Sequence, residues 1–161
     1  MGLRLAAEAS ATNYSGDSEP TEWGVFHQTI LYFRTDPPLR IDLRRDLSAS
    51  DRSMLGGLGL GRSFCIVTAE DPMGVAQAAD VNDALVARLR ERARQIEAVQ
   101  VDVDACGVDG SHCENSIAIA INIQAAIRLA DVYRQLAIFW FDGDAFWIIP
   151  VRSNKAKLKL P

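Results

Sequence analysis

The run Ser63-Phe64-Cys65-Ile66-Val67-Thr68 begins the segment whose reading decides the fold, and Ala145-Phe146-Trp147-Ile148-Ile149 nearly ends it. Between them residues 63–150 alternate as β-α-β-β-α-β-β. The first run is almost wholly apolar, as a central strand covered by other layers must be. Asp80 precedes a helix expected over residues 81–97, where its carboxylate can accept from first-turn amides. Val81, Leu85, Leu89, Ala93 and Ile96 recur at helical spacing and predict the buried stripe. Gln100-Val101-Asp102-Val103-Asp104 alternates strictly, residues 107–111 turn through Asp109-Gly110, and Ser116-Ile117-Ala118-Ile119-Ala120-Ile121 returns as a strand. Asn122 caps a second helix over residues 123–135, with Ile123, Ala126, Ile127 and Ala130 inward. Strands over residues 136–141 and 144–151 follow, joined through Asp142-Gly143-Asp144.

Before this segment, Thr29-Ile30-Leu31-Tyr32-Phe33 suits a strand, Asp36-Pro37-Pro38 turns the chain, and Leu39-Arg40-Ile41-Asp42-Leu43-Arg44 alternates as a second strand, which predicts a hairpin. Ser48-Ala49-Ser50-Asp51 caps a single helical turn, stopped by the glycine run Gly56-Gly57-Leu58-Gly59-Leu60-Gly61. Residues 1–24 have no sustained periodicity and are expected to be a mobile segment. Residues 25–151 form one domain, and residues 152–161 a basic tail. Short connections and the crossover rule predict an α+β fold with a ferredoxin-like split β-α-β core, an antiparallel sheet with two helices on one face. The added N-terminal β-hairpin and an extra C-terminal strand enlarge it. In this arrangement the strands at 63–68 and 116–121 are parallel neighbours at the centre.

A chain of 161 residues, 48% hydrophobic and 24% charged, is globular rather than disordered in composition. Its net charge of −4 argues against a nucleic-acid footprint, which calls for a basic face. No stretch reaches the ~20 apolar residues of a membrane span. The first residues break their apolar run too early for a secretory signal, and Cys65, Cys106 and Cys113 make an odd set. The expectation is a cytoplasmic protein with reduced thiols, without membrane association.

Asp102, Asp104, Cys106, Asp109, His112, Cys113 and Glu114 gather seven metal-ligating side chains within thirteen residues. Their spacing is not that of a structural zinc site, which pairs ligands two to four residues apart, so a solvated hairpin loop is favoured and neither metal nor cofactor is expected. The glycine run precedes a strand instead of following one, which excludes a dinucleotide fingerprint. With only His27 and His112 and no nucleophile elbow, a Ser-His or Cys-His hydrolase has no basis.

The loop Thr68-Ala69-Glu70-Asp71-Pro72 ends a central strand, where side chains and helix-terminal amides converge. Thr68, Glu70 and Asp71, with Asn82 in the next helix, are the candidate ligand-binding set, and Glu70 with Asp71 the candidate acid/base pair. Glu114, at the mouth of an apolar strand, is the other candidate. On the expected topology it lies at the opposite end of the sheet from this loop, beside Arg62.

Thr68-Ala69-Glu70-Asp71-Pro72, Asn82, Glu114-Asn115-Ser116 and Tyr133-Arg134-Gln135-Leu136-Ala137 together resemble a bacterial domain-of-unknown-function family, DUF3293, over roughly residues 27–150. The family pattern implies Thr-Ala-x-Asn-Pro in the loop, an Asn in the following helix, a Glu with Ser two residues on, and Gln-Asn-Ala before the last strands. Asp71 stands for the loop Asn, and Leu136 for the Asn before Ala137. The family lends no activity. The favoured reading is a non-enzymatic binding or interaction module, forming a homodimer or meeting a protein partner through a sheet edge or the aromatic C-terminal hairpin. The alternative is a small-ligand or nucleotide-binding protein, or a small enzyme, using residues 68–71 with Asn82.

Overall fold

The computed structural model describes residues 26–161. The expectation for residues 1–24 lies outside them. The chain runs β1 (Thr29–Phe33), β2 (Leu39–Asp42), α1 (Ala49–Gly56), β3 (Phe64–Thr68), α2 (Ala79–Gln95), β4 (Gln100–Gly107), β5 (Cys113–Ile119), α3 (Ile123–Val132), β6 (Ala137–Phe141), β7 (Phe146–Pro150) and β8 (Leu158–Lys159). All eight strands join one sheet in the order β2-β1-β4-β5-β3-β6-β7-β8, and every pair in it is antiparallel.

The expected ferredoxin-like core with a parallel middle pair is therefore corrected. Cys65 pairs with Ile119, Val67 with Ile117 and Thr68 with Ser116, so β3 and β5 are neighbours that run in opposite directions. The physical reason lies in the connections. The crossover through α2 returns the chain alongside β3 at β4, two places away, and the tight β4–β5 turn then sends β5 back between them.

The sheet also has a second covered face. Alternation sends Cys65 and Val67 of β3, with Ile117 and Ile119 of β5, to the side where Leu89 and Ala93 of α2 and Ala126, Leu129 and Ala130 of α3 close over them. Phe64, Ile66, Val103, Ala118, Phe139 and Ile148 point the other way, into a core shared with Leu31, Phe33, Ile41, Leu55 of α1 and Leu160. Phe33 and Phe64 stand three strand positions apart and, in register, four residues apart along the strand, about 20 Å in a flat sheet. Their ring centroids are nevertheless 6.3 Å apart. The sheet is curled into a half-barrel with three helices, α1 stopping its concave side and α2 and α3 its convex side. Ser48 caps α1 in a reciprocal capping box with Asp51, which is why that segment makes a helix of eight residues.

Smaller expectations shift with this packing. The α2 cap is Ala78, without a side-chain bond, and Asp80 falls in the first turn. The buried stripe of α2 is Val86, Leu89 and Ala93, while Val81 and Ile96 are exposed. Cys106 and Cys113 face each other in the β4–β5 register with Cα atoms 4.0 Å apart and form a disulfide, which corrects the reduced-thiol expectation for that pair. Cys65 is a free, buried thiol, pushed up to about 12 chiefly by burial. Arg62 meets Gly143 at the far end of the sheet from Glu114, so the expected Arg62–Glu114 pair does not form. No helix among the described residues is long and apolar enough to cross a membrane.

Candidate functional site at the mouth of the half-barrel

Because β5 runs against β3, the end of β3 and the start of β5 lie side by side, and the start of β6 joins them on β3's other flank. The loop after β3 and the hairpin residues before β5, expected at opposite ends of the sheet, share one mouth. Thr68 ties the two strands: its hydroxyl donates to the Asn115 carbonyl at 2.8 Å and accepts from the Glu70 amide at 3.0 Å. Glu70 is buried. One of its carboxylate oxygens accepts from the Asn115 backbone amide at 3.1 Å and from the Asn115 side-chain amide at 2.7 Å. The buried Gln135 side chain donates to the Glu70 carbonyl at 2.9 Å. Thr68 and Glu70 therefore hold the scaffold together.

Asp71 is held differently. Its backbone is in the left-handed region at φ 46°, as are Met73 at 59° and Gly74 at 70°, a sharp turn of the kind that Asp tolerates better than most side chains. The Asn82 side chain closes a two-bond ring on it, accepting from the Asp71 amide at 3.0 Å and donating to Asp71 Oδ1 at 2.8 Å. The Gln77 amide donates to the same oxygen at 2.9 Å. Both contacts fall on Oδ1, and among the described residues Oδ2 accepts no hydrogen bond. The Asn82 bond, helped by the Gln77 amide and by His112, holds the Asp71 carboxyl below the usual range.

Glu114 sits on the concave face between Ala105 of β4 and the loop, partly buried, with His112 Nε2 3.5 Å from its Oε1. Burial pushes its carboxyl upward; His112 pulls it down, and the charges of Glu70 and Asp71 push it up further. Asp71, His112 and Glu114 each offer one atom within 4.8 Å of the others. A cavity of about 80 Å³ adjoins them, with Thr68, Asp71, Glu114, Ser116 and Gln135 above a floor of Phe26, Ile66 and Phe139. A shallower depression outside it is lined by Asp71, Asn82, His112 and Asn115. Two carboxyls driven in opposite directions around one concavity are the arrangement that proton transfer uses. A wider groove at the other end of the sheet carries Asp46, Arg52, Asp144 and Lys159, where Arg52 and Asp144 lie 3.8 Å apart as a surface pair.

Thr68, Glu70, Asp71, Asn82 and Glu114 are thus all in this mouth. Of the hairpin's ligating residues, His112, Glu114 and the disulfide-bonded Cys113 border it. Asp102 pairs with Arg90, Asp104 with Arg34, and the two cysteines are bonded to each other. Asn115 is a site residue that sequence reasoning missed, since only the fold makes its amide the partner of a buried carboxylate.

Residues 67–138 match the family described as "Protein of unknown function (DUF3293)". This stretch is similar to the DUF3293 family. The DUF3293 segment starts within β3 and ends within β6, so it carries the loop, Asn82, the β4–β5 hairpin and Gln135, while β1, β2, β7 and β8 lie outside it. Comparison with curated proteins and with solved structures gives no match.

Proposed function

We propose that this protein binds a small ligand in the mouth of its half-barrel, with Glu114 and Asp71 as the groups that meet the ligand's polar end. The observation that carries the reading is the cavity itself: five polar side chains from three separate stretches converge above an apolar floor. At about 80 Å³ it is well short of the ~300–1,000 Å³ of a drug-sized pocket. The reading therefore favours a small polar molecule, or the terminal group of a longer one, over a whole nucleotide. The Asp71 and Glu114 carboxyl oxygens suit a ligand that carries hydrogen-bond donors.

A thermal-shift screen of small polar compounds on the chelator-treated protein tests it, run beside Ala105→Leu, which fills the cavity from β4. Compounds that stabilise the wild type by mass action are expected to lose that effect in Ala105→Leu. Stabilisation of equal size in both proteins would place the ligand elsewhere and end the reading.

The protein-interaction reading keeps one supporting observation: Met73, Val75 and Leu136 expose apolar surface close to the cavity, whose wall includes Gly74 and Leu136. The sheet edges offer it less. The edge strand β8 has two residues, and Trp147 of the aromatic hairpin is engaged by Asp142 at 2.7 Å and by Lys157 over its ring.

A further inference from the structure

We propose that Asp71, His112 and Glu114 form a binding site for one divalent cation of the zinc or manganese class, an inference that rests on the ligand-site reading above. Each residue comes with its own placement. His112 and Glu114 alternate on the strand-entry side of the β4–β5 hairpin, and the Cys106–Cys113 disulfide pins that hairpin across its register. Asp71 comes from the loop after β3 and is brought opposite them only because β3 and β5 are antiparallel.

The geometry is near what such an ion requires. Ligands about 2.1 Å from a tetrahedral centre stand roughly 3.4 Å from one another. His112 Nε2 and Glu114 Oε1 are already 3.5 Å apart, and all three donor atoms lie within 4.8 Å, so closure needs shifts of at most about 1.4 Å. The His112 side chain is 62% exposed and can supply it by rotating.

The Asp71 carboxylate is oriented, as metal-binding carboxylates are, by hydrogen bonds from its surroundings: Asn82 and the Gln77 amide both donate to Oδ1. One imidazole with two carboxylates selects a borderline transition cation over Ca²⁺, which prefers an all-oxygen cage of six to eight ligands. Three protein ligands leave a fourth position for water or for the small ligand, and two of the three line the cavity.

The test uses the full chain stripped with a chelator, then titrated calorimetrically with Zn²⁺, Mn²⁺ and Mg²⁺ separately. One equivalent of Zn²⁺ or Mn²⁺ is expected to bind, with Mg²⁺ much weaker. Asn82→Ala, which removes the two hydrogen bonds that orient Asp71, should weaken affinity about 10–100-fold, and His112→Ala at least as much. His112 is exposed, so its removal leaves the fold intact, which circular dichroism verifies. His27→Ala, altering the one other histidine of the chain, should change nothing. Absence of binding by the wild type, or undiminished binding by His112→Ala, overturns the inference. The compound screen is run without metal, so a stabilising compound with no metal binding defeats this inference alone. Metal binding with no cavity ligand defeats the other alone.

Discussion

Replacing Phe33 and Phe64 by leucine, singly and together, interrogates the curl of the sheet. Phe64 is fully buried and touches Phe33 edge-on at 6.3 Å and 89°, Phe141 at 5.2 Å and Phe146 at 6.2 Å. Each single change removes ring contacts in a close-packed interior and should cost about 1–3 kcal/mol, within the range for core substitutions. The informative quantity is the coupling between them. An edge-to-face aromatic pair is worth about 0.5–1.5 kcal/mol beyond burial, so the double mutant should lose less than the sum of the singles by that amount. In a flat sheet the two positions would stand about 20 Å apart, beyond the distance at which substitutions interact. Urea denaturation of the four proteins, with unchanged m-values as the check on two-state behaviour, measures it. Single effects that sum to the double within about 0.3 kcal/mol would refute the half-barrel.

Three further outcomes follow from individual environments. Asp42 is buried against Arg44, whose guanidinium donates at 2.9 and 2.7 Å and, with Arg40 nearby, lowers the carboxyl to about 2. A lowered folded-state value stabilises above the unfolded value near 3.9 and is lost as pH falls toward 2. Discounted for the exposed arginine, Asp42→Asn should cost about 1 kcal/mol at pH 7 and only a small fraction of that at pH 2 by denaturant titration; an equal cost at both pH values contradicts it. Cys65, fully buried with its thiol pushed up to about 12, should resist iodoacetamide at pH 8 in the native protein and react once unfolded, as read by mass spectrometry; native labelling would show the strand is open. Glu70→Ala strips two hydrogen bonds from Asn115 beside the cavity and should cost about 1–3 kcal/mol of stability, whereas a change within 0.5 kcal/mol would mean Glu70 is not the strut described.

The element positions were legible because period-2 and helical spacing are local properties: β4 alternates, Asn122 caps α3 through the Ala125 amide, and Asp142-Gly143-Asp144 turns the last hairpin. Direction was not legible in the same way. An apolar strand such as Phe64–Thr68 reads identically whether its neighbour runs with it or against it, so the β3–β5 relation rested on a crossover rule that in fact governs β3 and β4. That one error carried Glu114 to the wrong end of the sheet and left His112 in a solvated loop. The curl was equally hidden, since Phe64 and Ile66 look like strand residues covered by any layer. The loop, Asn82 and Glu114 stood out by composition and context. Asn115 and Ser116 did not, because a polar residue at a strand entrance is ordinary until a buried carboxylate or a cavity is known to adjoin it.

The claim beneath the site is that antiparallel pairing of β3 with β5 draws three distant stretches into one mouth. Nuclear Overhauser contacts across that pair measure it most directly. The account predicts backbone cross-peaks linking Thr68 to Ser116 and Cys65 to Ile119, with the Asn115 side-chain amide close to Glu70. Cross-peaks that instead join Phe64 to Ser116 would describe strands running the same way, and would separate Asp71 from Glu114 by the length of the sheet.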